Sequence, residues 1–201
     1  MKYKNFEKEL PANYREVLHI NAKNAKFGII FNLLALVILA VVMFVAFIPL
    51  KGTDLTSVPV ESGAMLIGYF VFLISMIVYI VLHELVHGIA YKALTHEKLT
   101  FGLSWSCAYC GVPSLYVSRR TALIALAAPL VTFTLILLPL TAVLLFVHPY
   151  VYIAAAFLFG LHLGGCSGDM YMLLLLLFKY RDGALLMRDT GPEQFLYLPQ
   201  E

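Results

Sequence analysis

The chain has 201 residues, of which 61% are hydrophobic and only 13% are charged, and its formal net charge is +2. A soluble domain would have about 45–50% apolar and about 25% charged residues, so the composition excludes an ordinary soluble protein and indicates an integral membrane protein. The sequence has no basic stripe with interleaved aromatic residues, so we expect no nucleic-acid partner. Three cysteines, an odd number, do not make a disulfide framework.

Four apolar segments each approach the roughly 20 residues that a bilayer-spanning helix needs. The predicted spans are residues 27–49, 64–93, 122–147 and 150–178. The sequence therefore predicts an all-α membrane protein in which residues 27–178 form a four-helix transmembrane domain. Residues 1–26 precede this domain, and residues 179–201 follow it as a tail.

The distribution of Lys and Arg predicts the orientation of these spans. Basic residues cluster in three segments: Lys2, Lys4, Lys8, Arg15, Lys23 and Lys26 before the first span; Lys92, Lys98, Arg119 and Arg120 around the second loop; Lys179, Arg181 and Arg188 in the tail. The first loop has only Lys51, and the turn at His148 has none. The positive-inside rule therefore places both termini and the 94–121 loop in the cytoplasm of a cell whose membrane the chain crosses.

The 94–121 loop has strand character. Residues 100–106 alternate weakly between apolar and polar, and residues 115–118 again favour a strand, with Gly111 and Pro113 between them. A short β-hairpin at the cytoplasmic membrane surface is expected there. Of the terminal segments, residues 13–26 weakly favour a short interfacial helix, and the tail around residue 191 a short irregular terminus.

The second span contains the segment His83-Glu84-Leu85-Val86-His87. Two histidines four residues apart point the same way from a helix and can together hold one Zn²⁺. The glutamate between them can act as general base on a water molecule at the metal. Three titratable groups within five residues are costly in hydrocarbon, so their presence indicates a function.

A catalytic zinc site takes three protein ligands and keeps a fourth position open. His83 lies nine residues before Lys92, or roughly 14 Å along a helix, and Asp169 lies ten residues before Lys179, or roughly 15 Å. Because both spans are expected to leave the membrane on the cytoplasmic side, His83 and Asp169 lie at the same depth. This agreement predicts Asp169 as the third ligand.

The residues before Asp169 offer alternatives for the third ligand. Gly164-Gly165-Cys166-Ser167-Gly168 weakens a helix by about 1 kcal/mol per glycine, so a local break is expected there. Cys166 lies three residues before Asp169. His162 is on the same helix face as Asp169 but lies about 10 Å deeper.

These features resemble a known family. An HELVH segment in a transmembrane helix, an aspartate in a glycine-rich part of a later span, and Pro129 opening the span between them resemble the site-2 protease class of intramembrane metalloproteases. The small four-span layout is similar to a bacterial family of membrane zincin peptidases. The resemblance extends from about residue 69 to residue 178. It implies that His83, His87 and Asp169 bind zinc and that Glu84 is the catalytic base.

The chain departs from the site-2 protease pattern at the third ligand. Gly168-Asp169 stands where that class carries an Asp-Gly pair, and Cys166-Ser167 occupies the place of an Asn-Pro that often precedes it. The third ligand therefore stays open between Asp169, Cys166 and His162.

The expected function is zinc-dependent hydrolysis of peptide bonds in membrane proteins or membrane-associated peptides, near the cytoplasmic side of the cell membrane. Two alternatives belong to other classes: a non-catalytic zinc-binding membrane protein, and a small transporter that moves ions or protons over intramembrane His and Asp. The sequence names neither a substrate nor an oligomeric state.

Cys107 and Cys110 have the spacing of a zinc knuckle. A structural zinc site needs four ligands, and only His96 is near in the sequence. Free thiols in a reduced cytoplasmic loop are therefore the preferred interpretation of this pair.

Overall fold

The computed structural model describes residues 4–22, 24–103 and 108–200. The helices are α1 Ala25–Phe47, α2 Ser62–Thr95, α3 Arg119–Leu144, α4 Pro149–Gly165 and α5 Ser167–Leu174. A π-helical turn, Leu175–Lys179, continues α5, and a short 3₁₀ turn, Leu55–Ser57, lies between α1 and α2. The chain is mostly helical, as the sequence predicts.

The structure also contains strands, so the expectation of an all-α protein is wrong in this respect. The strands are β1 Phe6–Glu7, β2 Tyr14–Asn21, β3 Thr100–Leu103, β4 Ala108–Gly111, β5 Tyr116–Ser118, β6 Leu186–Asp189 and β7 Glu193–Pro199. Five of them form an antiparallel sheet in the order β1-β5-β6-β7-β2, and β3 pairs with β4 as a separate hairpin.

The sheet joins the two terminal segments, which the sequence predicts to lack strands. Strand β2 pairs with β7 from Tyr14 opposite Pro199 to Asn21 opposite Glu193. The interfacial helix in residues 13–26 and the irregular tail are therefore wrong. The physical reason is long-range pairing: the apolar side chains of Ile20 and Leu196, 7% and 0% exposed, are buried only when these distant segments meet.

The predicted hairpin exists, but its second strand differs from the expectation. β3 pairs with β4, with Phe101 opposite Cys110, whereas β5 joins the larger sheet through Val117 opposite Met187. Val117 and Met187 are both fully buried, so their burial draws β5 away from the hairpin. Residues 104–107, which connect β3 to β4, lie outside the described residues.

Three helices, α1, α2 and α3, are long and apolar enough to cross a membrane, and α4 with α5 counts as a fourth span if the bent pair is taken as one. Large apolar side chains on α1 and α2 are exposed, such as Phe44 at 73% and Met65 at 68%. These properties are consistent with a membrane protein. The helix is interrupted at Cys166, between α4 and α5. This interruption confirms the local helix break predicted in the glycine-rich segment.

The chain divides into two compact units. The first comprises residues 1–31, 82–129 and 168–201, and the second residues 32–81 and 130–167. The core of the first unit is formed by side chains from α2, α3, α5, the π turn, the sheet and the connection between β4 and β5: Tyr91, Val112, Leu115, Val117, Leu126, Met172, Leu176, Met187 and Leu196. In the second unit, Ala46, Leu50, Tyr152 and Ala156 form a smaller apolar cluster.

Candidate metal centre

Three metal-ligating side chains meet within the first unit. The Nε2 atom of His83 lies 3.4 Å from Oδ2 of Asp169, and the Nε2 atom of His87 lies 3.3 Å from the same oxygen. The candidate ligand atoms of the three residues all lie within 4.8 Å of one another. The structure thus brings together the three side chains that motif spacing and span depth select in the sequence.

Helix geometry places each of these side chains. His83 and His87 are one turn apart on α2, and their ring centroids are 5.0 Å apart. Asp169 lies in the first turn of α5, directly after the break at Cys166. A carboxylate is favoured in the first turn of a helix because the unpaired N–H groups there carry partial positive charge. The interruption at Cys166 therefore starts a new helix whose first turn contains Asp169.

The ring of His87 is held from its other side. Its Nδ1 atom lies 2.9 Å from the main-chain oxygen of Ala125 in α3. A carbonyl oxygen only accepts, so Nδ1 carries the proton and donates it. In the neutral ring Nε2 then presents a lone pair towards Asp169, which is the tautomer a metal requires.

The distances among these atoms fit a tetrahedral zinc ion. A charge-assisted N–H···O hydrogen bond is about 2.7–2.9 Å long, so contacts of 3.3 and 3.4 Å are longer than direct bonds between His and Asp would be. Two ligands at about 2.0–2.1 Å from zinc in tetrahedral geometry are about 3.3 Å apart. Two imidazoles and a carboxylate are also a typical catalytic donor set for zinc, with one position left for water.

Glu84 lies beside this cluster and next to the hairpin. Its side chain is half-buried, and the main-chain N–H of Cys110 in β4 faces its carboxylate. The hairpin approaches α2 closely at Gly88, where an added Cβ would lie 3.1 Å from the Leu99 side chain and overlap the Phe101 ring. The close contact at Gly88 thus brings strand β4 to the glutamate of the HELVH segment.

The alternative third ligands, His162 and Cys166, belong to the second unit. Nδ1 of His162 lies 2.9 Å from the Tyr79 hydroxyl, and its Nε2 lies 3.1 Å from the Thr134 hydroxyl. The thiol of Cys166 lies 3.7 Å from His162 Nδ1. Both ring nitrogens of His162 are therefore occupied by hydroxyl groups, which makes His162 a weaker candidate than Asp169.

Of the Cys107–Cys110 pair, only Cys110 belongs to the described residues. The Cys110 thiol is free and 6% exposed. Burial raises the pKa of Cys110 to about 12, and the carboxylates of Asp189 and Glu84 act in the same direction. A thiol that resists ionisation is a poor zinc ligand, which favours the interpretation of Cys110 as a free thiol.

The sequence did not reveal two polar contacts that support the helices carrying the candidate ligands. The Tyr91 hydroxyl, one turn after His87, donates to Oδ2 of Asp189 at 2.7 Å. Arg119 donates to the main-chain oxygens of Leu176 and Tyr180, at the end of the helical segment that begins with α5. Tyr91 continues the i, i+4 series of His83 and His87, so helical spacing could have indicated it. Nothing local points to Asp189.

Comparisons with known proteins connect this geometry to a family. The sequence profile of a family described as "Putative zincin peptidase" matches residues 76–185. The match covers more than half of the chain and contains His83, Glu84, His87 and Asp169, and it ends before β6. Searches of curated proteins and of solved structures gave no match.

Proposed function

Since the chain belongs to this zincin peptidase family, we propose that it is an intramembrane zinc metallopeptidase of the site-2 protease type. Its substrates are membrane proteins or membrane-associated peptides, cut near the cytoplasmic side of the bilayer. The observation that carries the proposal is the convergence of His83 and His87, through Nε2, on one oxygen of Asp169. Family membership supports a metallopeptidase, and the apolar helix around the motif supports its location in a membrane.

In this proposal His83, His87 and Asp169 hold Zn²⁺. Bound there, the ion supplies Lewis-acid activation of a water molecule and of the scissile carbonyl. Glu84 accepts the proton of the attacking water on its carboxylate and then delivers it to the leaving amine nitrogen. The burial of both histidines, 8% and 7% exposed, limits access of bulk water to this chemistry.

Strand β4 is suited to hold the substrate in an extended form. Among the described strands, β4 pairs only with β3. In an antiparallel pair, the N–H groups of residues two apart on one strand point to the same side. The N–H of Cys110 faces Glu84 and not β3, so the N–H of Ala108 also points away from β3. A substrate segment that paired with this free edge of β4 would be extended and not helical, and it would pass beside Glu84.

The bilayer is the second partner in this proposal. The basic segments before α1, between α2 and α3, and after the π turn support a cytoplasmic location for these parts of the chain. Exposed apolar side chains along α1 and α2 provide the surface that contacts lipid. The site then opens towards the cytoplasmic half of the membrane.

Proteolysis is tested by comparing membrane proteomes of cells that carry the parent chain or Glu84→Gln. The expected result is at least one membrane protein that accumulates uncut with Glu84→Gln. Glu97→Gln is the matched control, because Glu97 lies in the surface loop after α2 and pairs with Lys8 at 3.0 Å. Identical proteomes for the parent and Glu84→Gln would contradict peptidase activity and would favour a non-catalytic zinc protein or a transporter.

The role of β4 is tested at Ala108. Proline at this position removes the outward N–H, and valine keeps it while adding a side chain. We expect Ala108→Pro to reduce cleavage of the accumulated protein and Ala108→Val to retain it, with equal zinc content in both. Equal cleavage by the two variants would contradict strand addition at this edge.

A further inference from the structure

Asp189 is a buried carboxylate, 3% exposed, that ties three parts of the first unit together. Its Oδ2 accepts from the Tyr91 hydroxyl at 2.7 Å, and its Oδ1 accepts from the N–H of Gly191 at 2.8 Å. Its main-chain oxygen accepts from the N–H of Val112, directly after β4, at 2.8 Å. One residue of β6 therefore bonds the metal-binding helix, the β6–β7 turn and the end of the β3–β4 hairpin.

The partner on α2 lies on the same face as the metal ligands. Tyr91 follows His83 and His87 at successive steps of four residues, and it is 1% exposed. The bond from Tyr91 to Asp189 therefore holds the last turns of α2 in one rotation about the helix axis. That rotation determines where the two imidazoles point.

The β6–β7 turn also contacts β4 directly. A side chain at Gly111 would overlap the main chain of Thr190 and Gly191, and one at Gly191 would overlap the Tyr109 ring. Gly191 has φ +96°, which a residue with a side chain rarely adopts. The turn is thus shaped to lie flat against the strand that faces Glu84.

We propose that Asp189 is a positioning residue of the peptidase site, which fixes the His83–His87 face of α2 relative to strand β4. This inference rests on the proposed function for what the site does. It goes beyond the family match, which ends at residue 185, because it assigns a role to the β6–β7 hairpin outside the matched region. Asp189 accepts hydrogen bonds from the Tyr91 hydroxyl and from the Val112 N–H, and it acts on the site through these two residues.

The test uses the full chain in detergent and three variants: Tyr91→Phe, Asp189→Asn and the double variant. Tyr14→Phe is the matched control, because its hydroxyl donates to the Ala184 oxygen in the same unit, away from the site. Amide hydrogen exchange measures how firmly Asp189 holds α2 and the end of β4, and it requires no metal. Co²⁺ absorption, with Co²⁺ alone as the probe, reports the geometry of the ligands.

We expect each single variant to speed exchange in residues 88–95 and 108–112 by about tenfold, because a charged buried hydrogen bond is lost. The double variant should add little to Asp189→Asn, since both changes act on the same Tyr91–Asp189 hydrogen bond. The Co²⁺ spectrum should change in Tyr91→Phe and Asp189→Asn and stay unchanged in Tyr14→Phe. Tyr91→Phe keeps the inference testable if Asp189→Asn fails to fold.

Unchanged exchange in these two segments, or a Co²⁺ spectrum identical to that of the parent, would overturn the inference. A parent chain that binds no Co²⁺ would instead contradict the proposed metal site, and the exchange result would still decide whether Asp189 holds α2 to β4. The two failures are therefore distinguishable.

Discussion

The Nδ1 atom of His87 lies 2.9 Å from the main-chain oxygen of Ala125, so a metal-binding candidate on α2 is oriented by the backbone of α3. Ala125 is fully buried, and the contact is shielded from water. Such outer contacts fix the tautomer and ring orientation of metal-binding histidines. The geometry of the candidate metal centre therefore depends on α3 as well as on the HELVH segment of α2.

Gly88 allows the hairpin to pack against α2, so we expect Gly88→Val to destabilise the chain. The added side chain would overlap the Phe101 ring, and overpacking costs about 1–3 kcal/mol. Phe101→Ala in the same chain should restore part of this stability. Denaturation in detergent measures the change, with Gly68→Val on the same helix as control, because a Cβ at Gly68 meets nothing within 4 Å. Equal stability of Gly88→Val and Gly68→Val would contradict the close contact.

Arg119 stabilises the end of the segment that carries Asp169. Its guanidinium donates to the Leu176 oxygen at 2.8 and 3.0 Å and to the Tyr180 oxygen at 3.1 Å. Arg119→Ala should lower the free energy of unfolding by about 2 kcal/mol, the range for hydrogen bonds to a charged group. Arg119→Lys should recover only part, because an ammonium lacks the planar fork of donors.

The exposed neighbour Arg120 is the control for Arg119, since surface substitutions usually change stability by less than about 0.5 kcal/mol. Urea denaturation of the three variants in detergent gives the comparison. If Arg120→Ala lost as much stability as Arg119→Ala, the loss would reflect general charge and not the two carbonyl contacts.

Asp189 gives the stability a pH dependence. Burial raises the pKa of Asp189 to about 6 in the folded chain, against about 3.9 in an unfolded chain. The folded chain thus keeps a proton that the unfolded chain has lost, so the free energy of unfolding falls as pH rises from about 4 to about 6 and is level above that. The difference between the two pKa values corresponds to about 3 kcal/mol.

Asp189→Asn should remove this component of the pH dependence. The quantity to measure is the difference in free energy of unfolding between the parent and Asp189→Asn across this pH range, which cancels the titration of other groups. The difference should favour the parent more at the acid end. Parallel pH curves for the two chains would show that Asp189 does not titrate in this way.

Cys110 should resist alkylation in the folded chain. Its thiol is 6% exposed and its pKa is raised to about 12 by burial and the nearby carboxylates of Asp189 and Glu84, so almost no thiolate forms near neutral pH. Mass spectrometry after treatment with N-ethylmaleimide should find Cys110 modified only when the protein is denatured. Rapid modification of Cys110 in the native protein would contradict its burial.

The helical part of the fold was predictable because hydropathy and span length are local properties of the sequence. The His83–His87 spacing follows from the helix repeat, and Asp169 could be selected because the basic residues that end each predicted span place it at the depth expected for His83. The break at Cys166 follows from the glycines around it. Each of these predictions uses neighbours within about one span.

The sheet was not predictable in this way, because its strands pair residues far apart in the chain. Tyr14 pairs with Pro199, and Val117 pairs with Met187. Nothing near either residue in a single sequence indicates which distant residue it pairs with. The burial of Asp189 could not be predicted either, since an acidic residue in a tail normally lies at the surface. Its burial arises only when β6 packs beside Tyr91.

The central claim is that His83, His87 and Asp169 hold zinc, and metal analysis of the chain purified in detergent tests it most directly. We expect about one Zn²⁺ per chain in the parent, in Glu84→Gln and in Cys166→Ala, because the donor set is two imidazoles and one carboxylate. His83→Ala and Asp169→Asn should each lose the metal. A parent chain without zinc, or Asp169→Asn with its zinc intact, would contradict the account.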